Sequence, residues 1–166
     1  MENTKKIYFK NNKKFIKYAL LREHEWYLCC FQKKLRAEEK ATNIVSRFIH
    51  RLNKNRLGAK LGIYIPAGVF DEGLHLWHYG NIIVNAESKV GKNCVLHGDN
   101  CIGNNGKSEG CPVIGDNVDI GVGAKVLGAI QIADGVKIGA GAVVVKSCLT
   151  KNATIVGIPG KEVERK

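Results

Sequence analysis

An aliphatic residue returns every six positions from Ile114 onward, and few chain conformations tolerate that period. Ile114, Ile120, Val126, Ile132, Ile138 and Val144 keep the beat, and after Thr150 it is taken up by Val156. Glycine takes the next position in Gly115, Gly121, Gly139 and Gly157, and small residues follow four places on in Val118, Ala124, Val136, Ala142 and Cys148. An α-helix, at about 3.6 residues per turn, would smear this beat around its circumference. The alternation of an ordinary strand would bury Asp116 and Lys137. A stacked solenoid fits it, because each short repeat then buries one side chain against its neighbours.

The expected unit is a triangular parallel β-coil, each hexapeptide a short flat strand plus a corner. Three hexapeptides close a turn, and turns stack at the strand spacing of ~4.8 Å. Ile120, Ile138 and Val156 then form one interior ladder, and Ile114, Ile132 and Thr150 another. Glycine just after the inward residue suits close backbone approach and an unusual φ at the bend. Backwards, the beat reaches Ser108, Ile102, Leu96 and Val90, across a loop from Asn104 to Cys111. Before Val90 the step lengthens to eight, to Ile82, and returns to six at Leu76, Phe70 and Tyr64, as a two-residue insertion near Asn85 to Ser88 would give. The expected fold is mainly β: a basic α-helical arm over 1–61, a coil of about five turns over 62–160, and a tail over 161–166.

Charge is uneven along the 166 residues. Residues 1–60 hold 16 Lys and Arg against 5 Asp and Glu, whereas residues 61–166 hold 10 of each, so the arm carries the excess. Such an arm suits an anionic membrane surface, a phosphorylated or lipid-linked substrate, or plain solvation. No nucleic-acid partner is expected, since the cations are spread over two helices without a binding motif. The longest apolar run, Trp26 to Phe31, is far shorter than the ~20 residues that span a bilayer, and the basic start lacks a signal-peptide core. A cytoplasmic location is expected, with peripheral contact at the inner face of the membrane through the arm.

Within the arm, residues 12–32 read as one helix and the stripe Leu35, Ala41, Ile44, Val45, Phe48, Ile49 and Leu52 as a second, stopped by Gly58. Their apolar faces are expected to pack on the coil base or on a neighbouring subunit. On the coil, outward Val122, Leu127 and Val143 point to association, and a cyclic trimer is the natural closed arrangement of a three-sided prism.

The six cysteines show no zinc spacing; Cys94 and Cys148 fall at small core positions, and Cys111 lies in the loop. Of five histidines, His24 and His50 sit on the helices among Lys and Arg, where a solvated surface role is expected. His75, His78 and His97 fall in two adjacent turns. With Leu96 stacked over Leu76, His97 lies above Trp77 and beside His78, while His75 turns away. Two converging imidazoles suit metal binding, but no third histidine stacks with them, so no metal is expected. They equally suit general-base chemistry, an imidazole of ordinary pKa ~6.5 taking the proton of an attacking hydroxyl. A corner histidine bonded to backbone is the bland alternative.

Residues 62–160 resemble the hexapeptide-repeat acyltransferases, in the branch of serine acetyltransferases and the shorter O-acetyltransferases of surface polysaccharides. The matching motifs are Ile65-Pro66-Ala67, Leu76 to Val84, Ile102 to Ser108, Gly121 to Lys125, Ile138 to Val144 and Gly157 to Lys161. The resemblance implies a left-handed parallel β-helix, a homotrimer, acetyl-CoA as donor and a site between subunits. It makes His78 the catalytic base, with Trp77, Tyr79, His97 and Cys111 around the acceptor. The Gly103, Asn104 and Gly106 loop would supply an oxyanion donor. Pantetheine would run along Gly123, Ala124, Gly139 and Ala140, and Lys125, Lys146 and Lys161 would meet the CoA phosphates. Against the serine acetyltransferase pattern, the acid before the base is Trp77 here, the acid that orients it falls at Ile63, and a second histidine falls at Cys111. Glu72 or a backbone carbonyl is left to fix the His78 tautomer. The expected activity is acetyl transfer to a sugar or polysaccharide-precursor hydroxyl, with L-serine as the alternative acceptor. Of other classes, a non-catalytic scaffold and a carbonic-anhydrase-like metalloenzyme stay open.

Overall fold

The structure, a computed structural model, describes residues 8–9, 12–21, 23–107 and 109–163. The arm comprises α1 (Asn12–Leu21), α2 (His24–Lys40) and α3 (Ile44–Leu61). The single helix expected over 12–32 is thus divided: Glu23 is extended (φ −70°, ψ 166°) and α2 restarts at His24. Asn43 begins α3 by accepting the Ser46 N–H at 2.7 Å, and Gly62, in the left-handed region at φ 65°, ends it. Gly58 is no stop. It lies inside α3, where any Cβ would press on the Ile63 carbonyl and, at 3.2 Å, on the Phe31 ring.

The coil follows as β1 (Ile63–Tyr64), β2 (His75–Leu76), β3 (Ile82–Val84), β4 (Lys89–Val90), β5 (Val95–Leu96), β6 (Cys101–Gly103) and β7 (Val113–Ile114). It continues through β8 (Asp119–Ile120), β9 (Lys125–Leu127), β10 (Gln131–Ile132), β11 (Lys137–Ile138), β12 (Val143–Val144), β13 (Thr154–Val156) and β14 (Lys161–Val163). They stack into three faces. The first runs β2-β5-β8-β11-β13, the second β1-β3-β6-β9-β12, the third β4-β7-β10, all parallel. Among the described residues only β14 reverses, pairing antiparallel with β13.

Each face contributes one buried column: Leu76, Leu96, Ile120, Ile138 and Ile155; Val84, Ile102, Val126 and Val144; Phe70, Val90, Ile114, Ile132 and Cys148. Four positions correct the sequence reading. Ile155 and Cys148 hold the places expected for Val156 and Thr150, because the last coil is shortened. At the other end Ile65 is buried (1% exposed) and Tyr64 is not (58%). Finally, Val84 rather than Ile82 stacks on Ile102, so the step of eight lies between Leu76 and Val84. The two extra residues therefore sit in the corner from Trp77 to Asn81, not near Asn85 to Ser88. Ser108, counted on the beat, lies outside the described residues. Across its loop the register survives, since Val90 pairs with Ile114 and Leu96 with Ile120.

The arm is bolted beneath this prism around two buried ions, Glu38 and Lys54. Glu38 meets Lys54 at 2.9 Å and Arg51 at 2.7 Å, and Lys54 also donates to the Ile65 carbonyl at 2.9 Å. Leu28, Phe31 and Leu35 of α2 join the coil core. The α3 stripe does not: Ile44, Val45, Phe48, Ile49 and Leu52 are exposed on the opposite side from buried Lys54, Gly58 and Leu61.

Candidate active site

Four successive corners between the first and second faces build one edge of the prism: 77–81, 97–100, 121–124 and 139–142. Close stacking there needs missing side chains. A Cβ on Gly121 would stand 2.7 Å from the Ala140 nitrogen, and Gly123 turns at φ 74°. Asn100, fully buried, ties two corners: its side-chain oxygen accepts the Gly98 N–H at 2.9 Å and its amide donates to the Gly121 carbonyl at 2.8 Å.

His78 stands exposed on this edge, in the lengthened corner, with Gly98 of the next coil against its backbone and Cβ. Exposed Trp77 and Tyr79 flank it. His97 stacks on Trp77 at 6.0 Å, as the register implies, and its Nε2 lies 2.8 Å from Asp119 Oδ1. Asp119 was not foreseen. It falls on the outward strand position of the following coil, opposite Val95, where polar residues are routine. His75 does not turn away but stacks on Trp77 at 4.7 Å, and burial, with His97 nearby, holds its pKa below the ordinary imidazole value. His24 departs furthest from expectation. Rather than facing solvent, it packs on the corner, 5.1 Å from the His78 ring and 4.4 Å from that of Tyr79. Among the described residues no carboxylate hydrogen-bonds to His78, and Glu72 lies in the preceding corner, between the third and first faces.

The other expected site residues divide between edges. Gly123, Gly139 and Ala140 share the His78 edge, where Gly123 donates to the Gly98 carbonyl at 3.0 Å and Gly141 to the Val122 carbonyl at 2.8 Å. Ala124 shares the 121–124 corner with Gly123; its methyl is fully buried and its carbonyl accepts from Cys101 and Asn100. Lys125 folds back to the Asp99 carbonyl at 2.6 Å. Gly103 ends β6 on the second face, and Asn104 and Gly106 lie on the edge beyond it, between the second and third faces, so within one chain the loop does not border His78. Lys146 belongs to that second edge too, and Lys161 opens β14. Cys111 is buried on the loop edge with its thiol toward Glu87 Oε2 at 3.9 Å, away from the corner of His78. No group of three or more His, Cys, Asp or Glu among the described residues is arranged to hold a metal ion.

No family model matches the chain. The serine acetyltransferase of Synechococcus elongatus is 32% identical over 124 residues, covering 74% of this chain and 49% of that protein. A serine acetyltransferase structure from Brucella abortus in complex with coenzyme A superposes with a TM-score of 0.68 at 29% identity, over 79% of this chain and 53% of that one. A soybean serine acetyltransferase complexed with serine gives 0.71 at 27% identity, over 83% and 58%. The chain belongs to the hexapeptide-repeat acyltransferases. Its coil is the left-handed parallel β-helix of that family, with an N-terminal helical arm, and departs from the right-handed rule for parallel crossovers. This acyltransferase-family chain spans about half the length of the curated relatives it matches.

Proposed function

We propose that this protein transfers the acetyl group of acetyl-CoA to a hydroxyl, with His78 as general base. The observation that carries the reading is the standing of His78: an exposed imidazole on the edge whose glycines leave backbone open for an extended thiol ester. The His78 ring takes the hydroxyl proton, the oxygen attacks the thioester carbonyl, and a tetrahedral oxyanion forms. As the C–S bond breaks, the CoA sulfur receives that proton from the imidazolium. A backbone N–H of the Gly103 to Gly106 loop is the proposed oxyanion donor. That loop lies on another edge of the same chain, so it serves His78 only when a second subunit brings its own loop there. A homotrimer provides this, and exposed Val122 and Ile83 are apolar surface for it to cover.

The comparisons favour L-serine as acceptor, since the matching curated relatives are serine acetyltransferases. One observation favours a sugar hydroxyl instead: the corner is walled by the exposed aromatic rings of Trp77 and Tyr79. Release of free CoA thiol, measured with L-serine and with a panel of sugars and nucleotide sugars, decides between them. His78→Ala is expected to lower turnover at least about a hundredfold with the better acceptor. Undiminished turnover removes the reading.

A further inference from the structure

The corner holding His78 is two residues longer than the ladder requires, so hydrogen bonds between coils leave part of it unsupported. Support comes from the arm. His24 opens α2, and its Nε2 lies 2.9 Å from the Trp77 carbonyl oxygen. A carbonyl only accepts, so the proton of that contact is on Nε2. The same ring lies face to face with Tyr79, 4.4 Å away at 24°, and tilted at 59° against His78 at 5.1 Å. Trp77, His78 and Tyr79 thus all meet the same side chain, His24 of α2.

We propose that His24 is a positioning residue for His78: it pins the Trp77 carbonyl and fills the space behind the imidazole, holding the ring out on the prism edge. The inference rests on His78 being the base. It gives the arm a part in the reaction, because α2 itself is locked to the coil. Gln32 donates to the Leu74 carbonyl at 2.8 Å and Arg36 to the Phe70 carbonyl at 2.9 Å, so the helix that carries His24 cannot slide relative to the corner without breaking both. A base displaced by about 1 Å loses on the order of a hundredfold in rate, so a positional role is large enough to measure.

The test uses the full chain and four variants, His24→Ala, His24→Gln, His24→Phe and His78→Ala, assayed for CoA release alongside thermal midpoints. His24→Ala is expected to lower kcat at least about tenfold with the KM for acetyl-CoA within about twofold. His24→Gln, which keeps an N–H for the Trp77 carbonyl, should recover most of the loss, and His24→Phe, which keeps only the ring, should recover less. Wild-type kcat in His24→Ala, with His78→Ala inactive, overturns the positioning role alone. Equal losses in His24→Ala and His24→Gln that track a lowered thermal midpoint overturn it too, since His24 is then merely structural. Full turnover in His78→Ala instead removes the base on which the inference stands.

Discussion

At the scale of single residues, the edge depends on side chains that a six-residue beat does not mark. Asn100 sits off the beat, yet its amide and oxygen are spent on three backbone groups in the two corners that follow that of His78. Asn100→Ala strands the buried Gly98 N–H, while the Gly121 and Ala124 carbonyls keep backbone donors, and is expected to destabilise the coil by about 1–3 kcal/mol. Equilibrium urea unfolding checks this, and Asn100→Asp should recover only the contact to Gly98. His24 and Asp119 were equally unreadable in sequence. One is remote by 53 positions from the corner it touches, and the other occupies an outward strand place where any polar residue is ordinary. His78 and His97 were legible because their neighbours Leu76 and Leu96 lie on the beat, and the register carried the polar residues with them.

Helices and strands differ in how well their placement could be read. Strand register followed from the aliphatic column, and it failed where two aliphatic residues competed. Ile82 and Val84 are both fully buried on β3, so sequence alone could not tell which continued the ladder. That ambiguity moved the insertion to the wrong corner, and so concealed that the corner of His78 is the unusual one. The arm was misread for a different reason. Its apolar stripe on α3 was the obvious core face, but the helix docks through Glu38 of α2 and Lys54 of its own, a buried ionic contact that amphipathic spacing cannot register. Burial tends to raise the Glu38 pKa, but bonds from Arg51 and Lys54 outweigh it and hold the carboxyl below its usual value. A carboxylate held low stabilises the folded state above its unfolded pKa of ~4.3, and that contribution fades as pH falls through the folded value. Glu38→Gln is expected to cost about 3–5 kcal/mol at neutral pH, by leaving Lys54 buried beside a neutral partner. Unfolding followed by tryptophan fluorescence at neutral pH and near pH ~4 should show the variant gaining on the wild type in acid.

For the molecule as a whole, His78 and the proposed oxyanion loop stand on two edges of one chain, so the proposed reaction requires assembly. Sedimentation equilibrium is expected to return three times the chain mass, and a monomeric sample should release no CoA. Among the described residues no helix is long and apolar enough to cross a membrane. A stack of parallel coils also has no inherent length, because its last turn offers the same unpaired backbone as every turn beneath it. Here β14 doubles back on β13 from Lys161 to Val163 and occupies that rim on one side of the prism. Exposed edges of this kind recruit further strands. Removing residues 161–166 should therefore let molecules join end to end, visible as growing light scattering with concentration. The reversal of three residues is what gives this column a top.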